Sequence, residues 1–260
     1  MLSRIDFMLD IIRKIGEFQH AHFRTGLDFE SKDPGIGWIV SFVDKESEKI
    51  FSEALKQFFP EDYIIGEETY DPKYDYKKHE KIWIIDPLDG TLLYKRWITN
   101  YGVMIAYVEK SRVQCSAMLI PETDELFHAD ENGAYKNNIK IKVTTTANLS
   151  ESLVSMSNWS LVELTQNDSK IAKIIQTLRY NFEPYSCVSN FSLCASGLTD
   201  GWFVYPKYGN IWDTAPGWFL VQQAGWKVTN FWSDTWDVFN PNVIFSNGLI
   251  HAEFQKLLES

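Results

Sequence analysis

Four consecutive apolar residues, Ile82, Trp83, Ile84 and Ile85, run straight into Asp86 in the stretch KIWIIDPLDGTLLY, and Asp89 follows three positions later. Such a run reads as a buried strand. It therefore requires a sheet inside the protein, and it delivers two carboxylates to that strand's end. In α/β sheets ligands bind at the carboxyl edge of the strands. Two carboxylates held close together repel each other unless a cation lies between them, and hard oxygen ligands suit magnesium. Taken alone, DPLDG also fits an ordinary turn whose aspartates cap the next segment.

The surrounding chain supplies the layers that such a sheet needs. Ser3 and Asp6 form a capping-box pattern ahead of Ile5, Leu9 and Ile12, which predicts an opening amphipathic helix. A second helix is predicted over SFVDKESEKIFSEALKQFFP, with Ile50, Phe51, Ala54, Leu55 and Phe58 on one face and Pro60 as its stop. The intervening GLDFESKDPGIGW, with three glycines and a proline, reads as a loop. After Pro60 the texture changes to short apolar runs, YIIG, IWII, GVMIAYV and VQCSAML, which predict a sheet. A polar connector near 144–151 leads into alternating segments: LVSMS (strand), SKIAKIIQTLRY (helix), VSNFSLCASG (helix), DGWFVY (strand), DTAPGWFLVQQAG (helix), PNVIFSN (strand) and HAEFQKLLE (helix). The alternation predicts α/β layers. We expect one catalytic unit over 1–260, with an N-terminal half (1–145) carrying the acidic motifs and a C-terminal half (146–260) closing the site.

With 45% hydrophobic residues in 260, the chain can fill a substantial core. A net charge of -10 and no Lys/Arg run argue against a nucleic-acid binder. A small anionic substrate stays open, because a metal ion inverts local charge. Arg4, Asp6, Asp10, Arg13 and Lys14 interrupt any signal-peptide core, and no stretch approaches a membrane span, so a cytoplasmic location and no membrane partner are expected. Cys115, Cys187 and Cys194 are odd in number, lack metal-ligand spacing and read as reduced, buried thiols. The five histidines (20, 22, 79, 128 and 251) lie outside the acidic motifs, and no nucleophile triad spacing is present.

Three further acidic stretches accompany DPLDGT. IIGEE ends a strand in Glu67 and Glu68, VSFVD places Ser41 and Asp44 at a helix start, and WDTAPG opens another helix with Asp213. Each is unremarkable alone, as a solvated strand end or an N-cap. In this order and spacing, GEE, DPLDGT and WDTAPG…AG resemble the inositol monophosphatase family, the lithium-sensitive, magnesium-dependent phosphatases that include fructose-1,6-bisphosphatases and 3'(2'),5'-bisphosphate nucleotidases. The resemblance extends down to NVIFSNGLIHAEF. It implies a layered αβαβα sandwich and two Mg2+ ions, with a third, looser ion near Glu67 and Glu68. Glu67, Asp86 and the Leu88 carbonyl would hold one ion, and Asp86, Asp89 and Asp213 the other. Thr91 with Asp44 would orient and help deprotonate the attacking water, with Glu67 beside it, and the Gly90 and Thr91 amides would stabilise the phosphoryl group. The family is often dimeric, so a homodimer is expected.

Several positions depart from the family's pattern. No acid stands between Asp200 and Asp213, where inositol monophosphatases usually hold a substrate hydroxyl. VYPKYGNIWDTA is instead similar to the bisphosphate nucleotidase branch, which implies that Lys207 would meet a second phosphate or another anionic group; a solvated lysine is the plainer reading. Pro216 replaces a usual alanine and is expected in the helix's first turn, where no N–H is needed. Ser186, Cys187 and Val188 occupy the small-residue stretch that borders the substrate, with Tyr185 where glycine is usual, which implies a narrower or more aromatic pocket. The tryptophans crowding the last third, Trp202, Trp212, Trp218, Trp226, Trp232 and Trp236, read as core. The expected activity is Mg-dependent hydrolysis of a small phosphorylated polyol or sugar. The alternatives are a 3'(2'),5'-bisphosphate nucleotidase and, in another class, a regulatory binding protein on a phosphatase fold.

Overall fold

The apolar run lies in a strand whose two faces are both covered. In the computed structural model, which describes residues 2–33, 38–156, 177–178, 180–203, 210–229, 238 and 244–259, β4 (Lys81–Asp89) sits second in a seven-stranded sheet. Its neighbours are β3 (Tyr63–Gly66), parallel to it, and β5 (Gly102–Glu109), antiparallel. Strands β6 (Arg112–Ile120), β7 (Glu125–Asp130), β8 (Gly133–Lys136) and β9 (Ile139–Lys140) continue the antiparallel order.

Successive side chains of β4 point to opposite faces. Trp83 and Ile85 join Val103, Ile105 and Tyr107 beneath α1 (Arg4–His22) and α2 (Phe42–Phe58), whose Phe7, Ile11, Ile12, Phe51 and Leu55 complete one core. Ile82 and Ile84 join Met104 and Ala106 in a second core with Val188 and Phe191 of α4 (Cys187–Ala195) and Phe219 and Leu220 of α5 (Ile211–Gln223). A fully buried isoleucine of this kind stabilises the fold by about 2–3 kcal/mol.

Beyond α4 and α5 lies a five-stranded sheet in the order β11 (Tyr180–Phe182), β10 (Leu153–Met156), β12 (Gly201–Phe203), β14 (Ile244–Ser246), β13 (Lys227–Thr229). Trp202 and Phe245 are paired across β12 and β14 and join the second core, as does Val228 of β13. Their sequence neighbours Ser246 and Thr229 therefore face the other way, and both hydroxyls hydrogen-bond the buried imidazole of His251 at 2.8 and 3.0 Å. His251 opens α6 (His251–Glu259), which covers that outer face. The sequence of layers is helix, sheet, helix, sheet, helix, the sandwich that the resemblance implied.

Some expectations change. Part of the GLDFESKDPGIGW segment is not loop: β1 (Phe29–Asp33) pairs antiparallel with β2 (Trp38–Ser41), Phe29 opposite Ser41. Strand pairing, rather than the propensity of FESKD, makes this ladder. Phe58 is half in solvent at 50% exposure, and Phe59 takes the buried position. Trp202, Trp212 and Trp226 are core, whereas Trp232, Trp236, Lys207 and the SKIAKIIQTLRY helix up to residue 176 lie outside the described residues. Cys115, Cys187 and Cys194 are free thiols; Cys115 and Cys194 are buried, and Cys187 is half-buried. No helix among the described residues is long and apolar enough to cross a membrane.

Candidate metal centre

Parallel pairing of β3 with β4 sets Gly66 beside Ile85. The next residue on each strand is an acid, so Glu67 emerges from the end of β3 beside Asp86 of β4, tied by Glu67 N–H to the Ile85 carbonyl at 3.3 Å. Further along, the β4–β5 register slips between Asp86, opposite Met104, and Asp89, opposite Gly102. The irregularity is held by Leu88 N–H donating to Asp86 Oδ1 at 3.1 Å, and such a bulge re-aims the strand end. Gly90 then turns the chain with φ 82°, and a Cβ there would lie 2.9 Å from the Asn100 carbonyl oxygen. Both facts require glycine. The short helix α3 (Thr91–Lys95) follows.

Asp44 arrives from α2. Its Oδ2 accepts from Ser41 N–H at 2.8 Å and Ser41 Oγ–H at 2.6 Å, completing the predicted cap. Its Oδ1 lies 2.9 Å from Thr91 Oγ1, which is also 3.1 Å from the Leu88 carbonyl oxygen. A hydroxyl has one proton to donate, so Thr91 serves one of these acceptors at a time and keeps its lone pairs for a further partner.

Asp89 and Asp213 are each fastened by a helix N-terminus. Val188 N–H, in the first turn of α4, donates to Asp89 Oδ2 at 2.7 Å. Asn210 donates to Asp213 Oδ2 through its N–H at 2.8 Å and its Nδ2 at 3.0 Å. Asn210, not Asp213, is thus the N-cap of α5, and Asp213 is the third helical residue. The helix starts earlier than the sequence suggested, which places Pro216 in its interior, beyond the first turn. The expectation that its missing N–H falls among the unbonded ones is therefore corrected: it leaves the Trp212 carbonyl without its i+4 donor. Gly217 lets α5 approach α4, since a Cβ there would sit 1.9 Å from the Phe191 ring. One donor atom each from Asp89, Cys187 and Asp213 lies within 4.8 Å of the others.

This assembly is electrostatically unsatisfied. Burial pushes the Glu67 carboxyl up to about 7; Lys32 opposes that shift, and the charge of Asp213 adds to it. Burial also raises Asp89 to about 7 against the Val188 and Cys187 amides, and Asp213 to about 7 against the Asn210 donors. Asp86 is also raised well above its ordinary range, by burial and then by Glu67, Asp89 and Asp213. Four carboxyl groups with too few donors form an oxygen-rich set that a hard divalent cation would relieve. The residues fit a metal.

Three participants were not anticipated. Lys32, from β1, reaches Glu67 Oε1 at 2.8 Å and Glu68 Oε1 at 2.6 Å, where the resemblance implies a looser ion. Burial disfavours its ammonium, but Glu67 and then Glu68 outweigh that and hold its pKa above the ordinary value. Glu48, buried on α2, accepts from Glu68 N–H at 2.8 Å and Thr69 Oγ1–H at 2.6 Å, pinning the turn that carries Glu67. An acid sharing the helix face of Phe51 and Leu55 is the signal that would have found it. Glu183 is pushed up to about 7 by burial; its Oε1 accepts from Tyr185 N–H at 2.7 Å, while its buried Oε2 has no hydrogen-bond partner.

Ser186 is the N-cap of α4, its Oγ accepting from Ser189 N–H at 3.3 Å. Beside it, Tyr185 holds φ 62° and is 60% exposed. A left-handed conformation costs a non-glycine residue about 1–2 kcal/mol. Tyr185→Gly is therefore expected to raise stability by about 1 kcal/mol in urea denaturation; a loss of stability would show that the ring's packing outweighs the strain.

The sequence profile of the inositol monophosphatase family matches residues 2–260. A Thermotoga maritima protein named fructose-1,6-bisphosphatase/inositol-1-monophosphatase is 30% identical over 263 residues, covering 99% of this chain and 96% of its own. The Vibrio cholerae Nus factor SuhB is 27% identical over 252 residues, covering 95% and 92%. Among solved structures, a Thermotoga maritima IMPase superposes with a TM-score of 0.87 at 30% identity, covering 99% of this chain and 97% of that one.

Proposed function

The chain belongs to the inositol monophosphatase family and is a phosphoric monoester hydrolase, and from that premise we propose that it hydrolyses a small phosphorylated polyol or sugar with the help of Mg2+. The observation that carries the reading is the convergence of Glu67, Asp86, Asp89 and Asp213 at the ends of β3 and β4 and the starts of α4 and α5. Glu67, Asp86 and the Leu88 carbonyl would hold one ion, and Asp86, Asp89 and Asp213 a second. Divalent cations at such a site polarise phosphoryl oxygens and acidify a bound water.

The chain's own groups do the rest. Thr91 Oγ1, held 2.9 Å from Asp44 Oδ1, orients a water with its free lone pairs, takes up the water's proton and passes its own to Asp44. Asp44 is suited to receive it, because burial raises its pKa above the ordinary carboxylate value despite the Ser41 donors. The Gly90 and Thr91 amides face the charge that builds on the phosphoryl oxygens. Ser186 Oγ accepts from Ser189 N–H and keeps its own O–H to donate to a phosphoryl oxygen.

The test is phosphate release from inositol 1-phosphate, fructose 1,6-bisphosphate, histidinol phosphate and adenosine 3',5'-bisphosphate, with and without Mg2+. Turnover of one of the first three, only with Mg2+, is expected. Preference for the adenosine bisphosphate would move the chain to the nucleotidase branch and give Lys207 its role. Silence across the panel would favour a regulatory binding protein, the reading to which similarity with a Nus factor lends weight.

A further inference from the structure

Cys187 opens α4 with its Sγ within 4.8 Å of carboxylate oxygens of both Asp89 and Asp213. Donor atoms that share one ion with metal–ligand distances of about 2.0–2.3 Å lie about 3–4.5 Å apart, so the three need only small adjustments to close on one cation. The arrangement is built rather than incidental. Asp89 is fastened to the first turn of α4 through Val188 N–H at 2.7 Å, and the close contact at Gly217 presses α5, which carries Asp213, against the same helix. We propose that Cys187 supplies a sulfur ligand to the cation held by Asp89 and Asp213, so that this position takes thiophilic divalent ions, Zn2+ and Cd2+, in addition to Mg2+.

The chemistry follows from ligand softness. Carboxylates alone favour magnesium, calcium and manganese, whereas a thiolate beside them shifts preference toward zinc and its heavier congener. As the metal–sulfur bond forms, the thiol's S–H bond breaks and its proton passes to solvent; no oxidant or reductant is involved. A thiol that coordinates such a cation is deprotonated by it. Mg2+ binds the same carboxylates without recruiting sulfur. The two kinds of ion therefore compete for one position, and a thiophilic ion held there displaces Mg2+.

This inference rests on the metal reading above, and spectroscopy separates the two. The full chain is titrated with Co2+ and followed for sulfur-to-cobalt charge transfer in the near ultraviolet. Mg2+ and Cd2+ affinities are measured by calorimetry. The same titrations are made on Cys187→Ser and, as a second variant, Cys187→Ala, each checked for native circular dichroism. Expected are a charge-transfer band in the unaltered chain that both variants lose, and Cd2+ affinity falling by about tenfold or more in both while Mg2+ affinity changes far less. A missing band in the unaltered chain, or a band that survives both substitutions, overturns the sulfur ligand; if Mg2+ still binds, the metal reading stands. Absence of binding by all three ions overturns both.

Discussion

Asp89→Asn is expected to lower metal-dependent phosphate release by on the order of 10³-fold while the fold persists. The amide nearly matches the carboxylate in volume and has a single oxygen. Val188 N–H, 2.7 Å from Asp89 Oδ2, claims that oxygen because it is the only acceptor left. The NH2 group then faces Asp213 and Cys187, presenting a donor where a cation requires an acceptor. The same change removes a buried negative charge from a crowd of them, so the metal-free variant should melt no lower than the unaltered chain above pH 7. Assays of phosphate release beside thermal melts read both effects, and retained turnover would remove Asp89 from the ligand set.

Metal-free protein should lose stability as pH rises from about 4 to about 7, and Mg2+ should restore it. Glu67, Asp89 and Asp213 sit near 7 when folded against ordinary values of 4.5, 3.8 and 3.8, and Asp86 shifts in the same direction. The folded state therefore binds more protons than the unfolded one between those limits, and its stability falls with rising pH. The contribution is fully present below the unfolded values and gone once pH has passed the folded ones. A ligand at a hundred times its dissociation constant adds about 2.7 kcal/mol, which for a chain of this size or somewhat smaller is a melting shift of roughly 5–10 °C. That gain should appear at pH 8 and shrink sharply at pH 5, where protons compete for the same oxygens. Equal Mg2+ shifts at both pH values would mean that the ion binds elsewhere.

What the sequence made legible depended on how local the cause was. IWIIDPLDGT declares itself because four apolar residues and two acids fall within one strand and its turn, and the Ser41–Asp44 cap is likewise contained in four residues. The β1–β2 pair was missed because FESKD has no strand signature of its own; its partner makes it a strand. Lys32 was missed with it, since the acids that it meets lie 35 and 36 residues further along. The early start of α5 turned on Asn210 outcompeting Asp213 for the cap, a choice between two good capping residues that spacing alone does not decide. Cys187 was placed beside the substrate by resemblance, but its proximity to Asp213 arises from the packing of two helices, which no local pattern encodes.

The acidic cluster draws on residues 44, 67, 86, 89 and 213, so its closure spans most of the polypeptide. Contacts so distant in sequence form late and slowly. During synthesis, a nascent chain that has not yet emerged past residue 213 lacks one of the carboxylates, and α4 has nothing to press Cys187 against. Affinity for the ion assigned above to Asp86, Asp89 and Asp213 would therefore be a timestamp: its appearance would mark the docking of α5 onto the first sheet, and a folding experiment that follows metal uptake alongside tryptophan burial would resolve that final event from the steps before it.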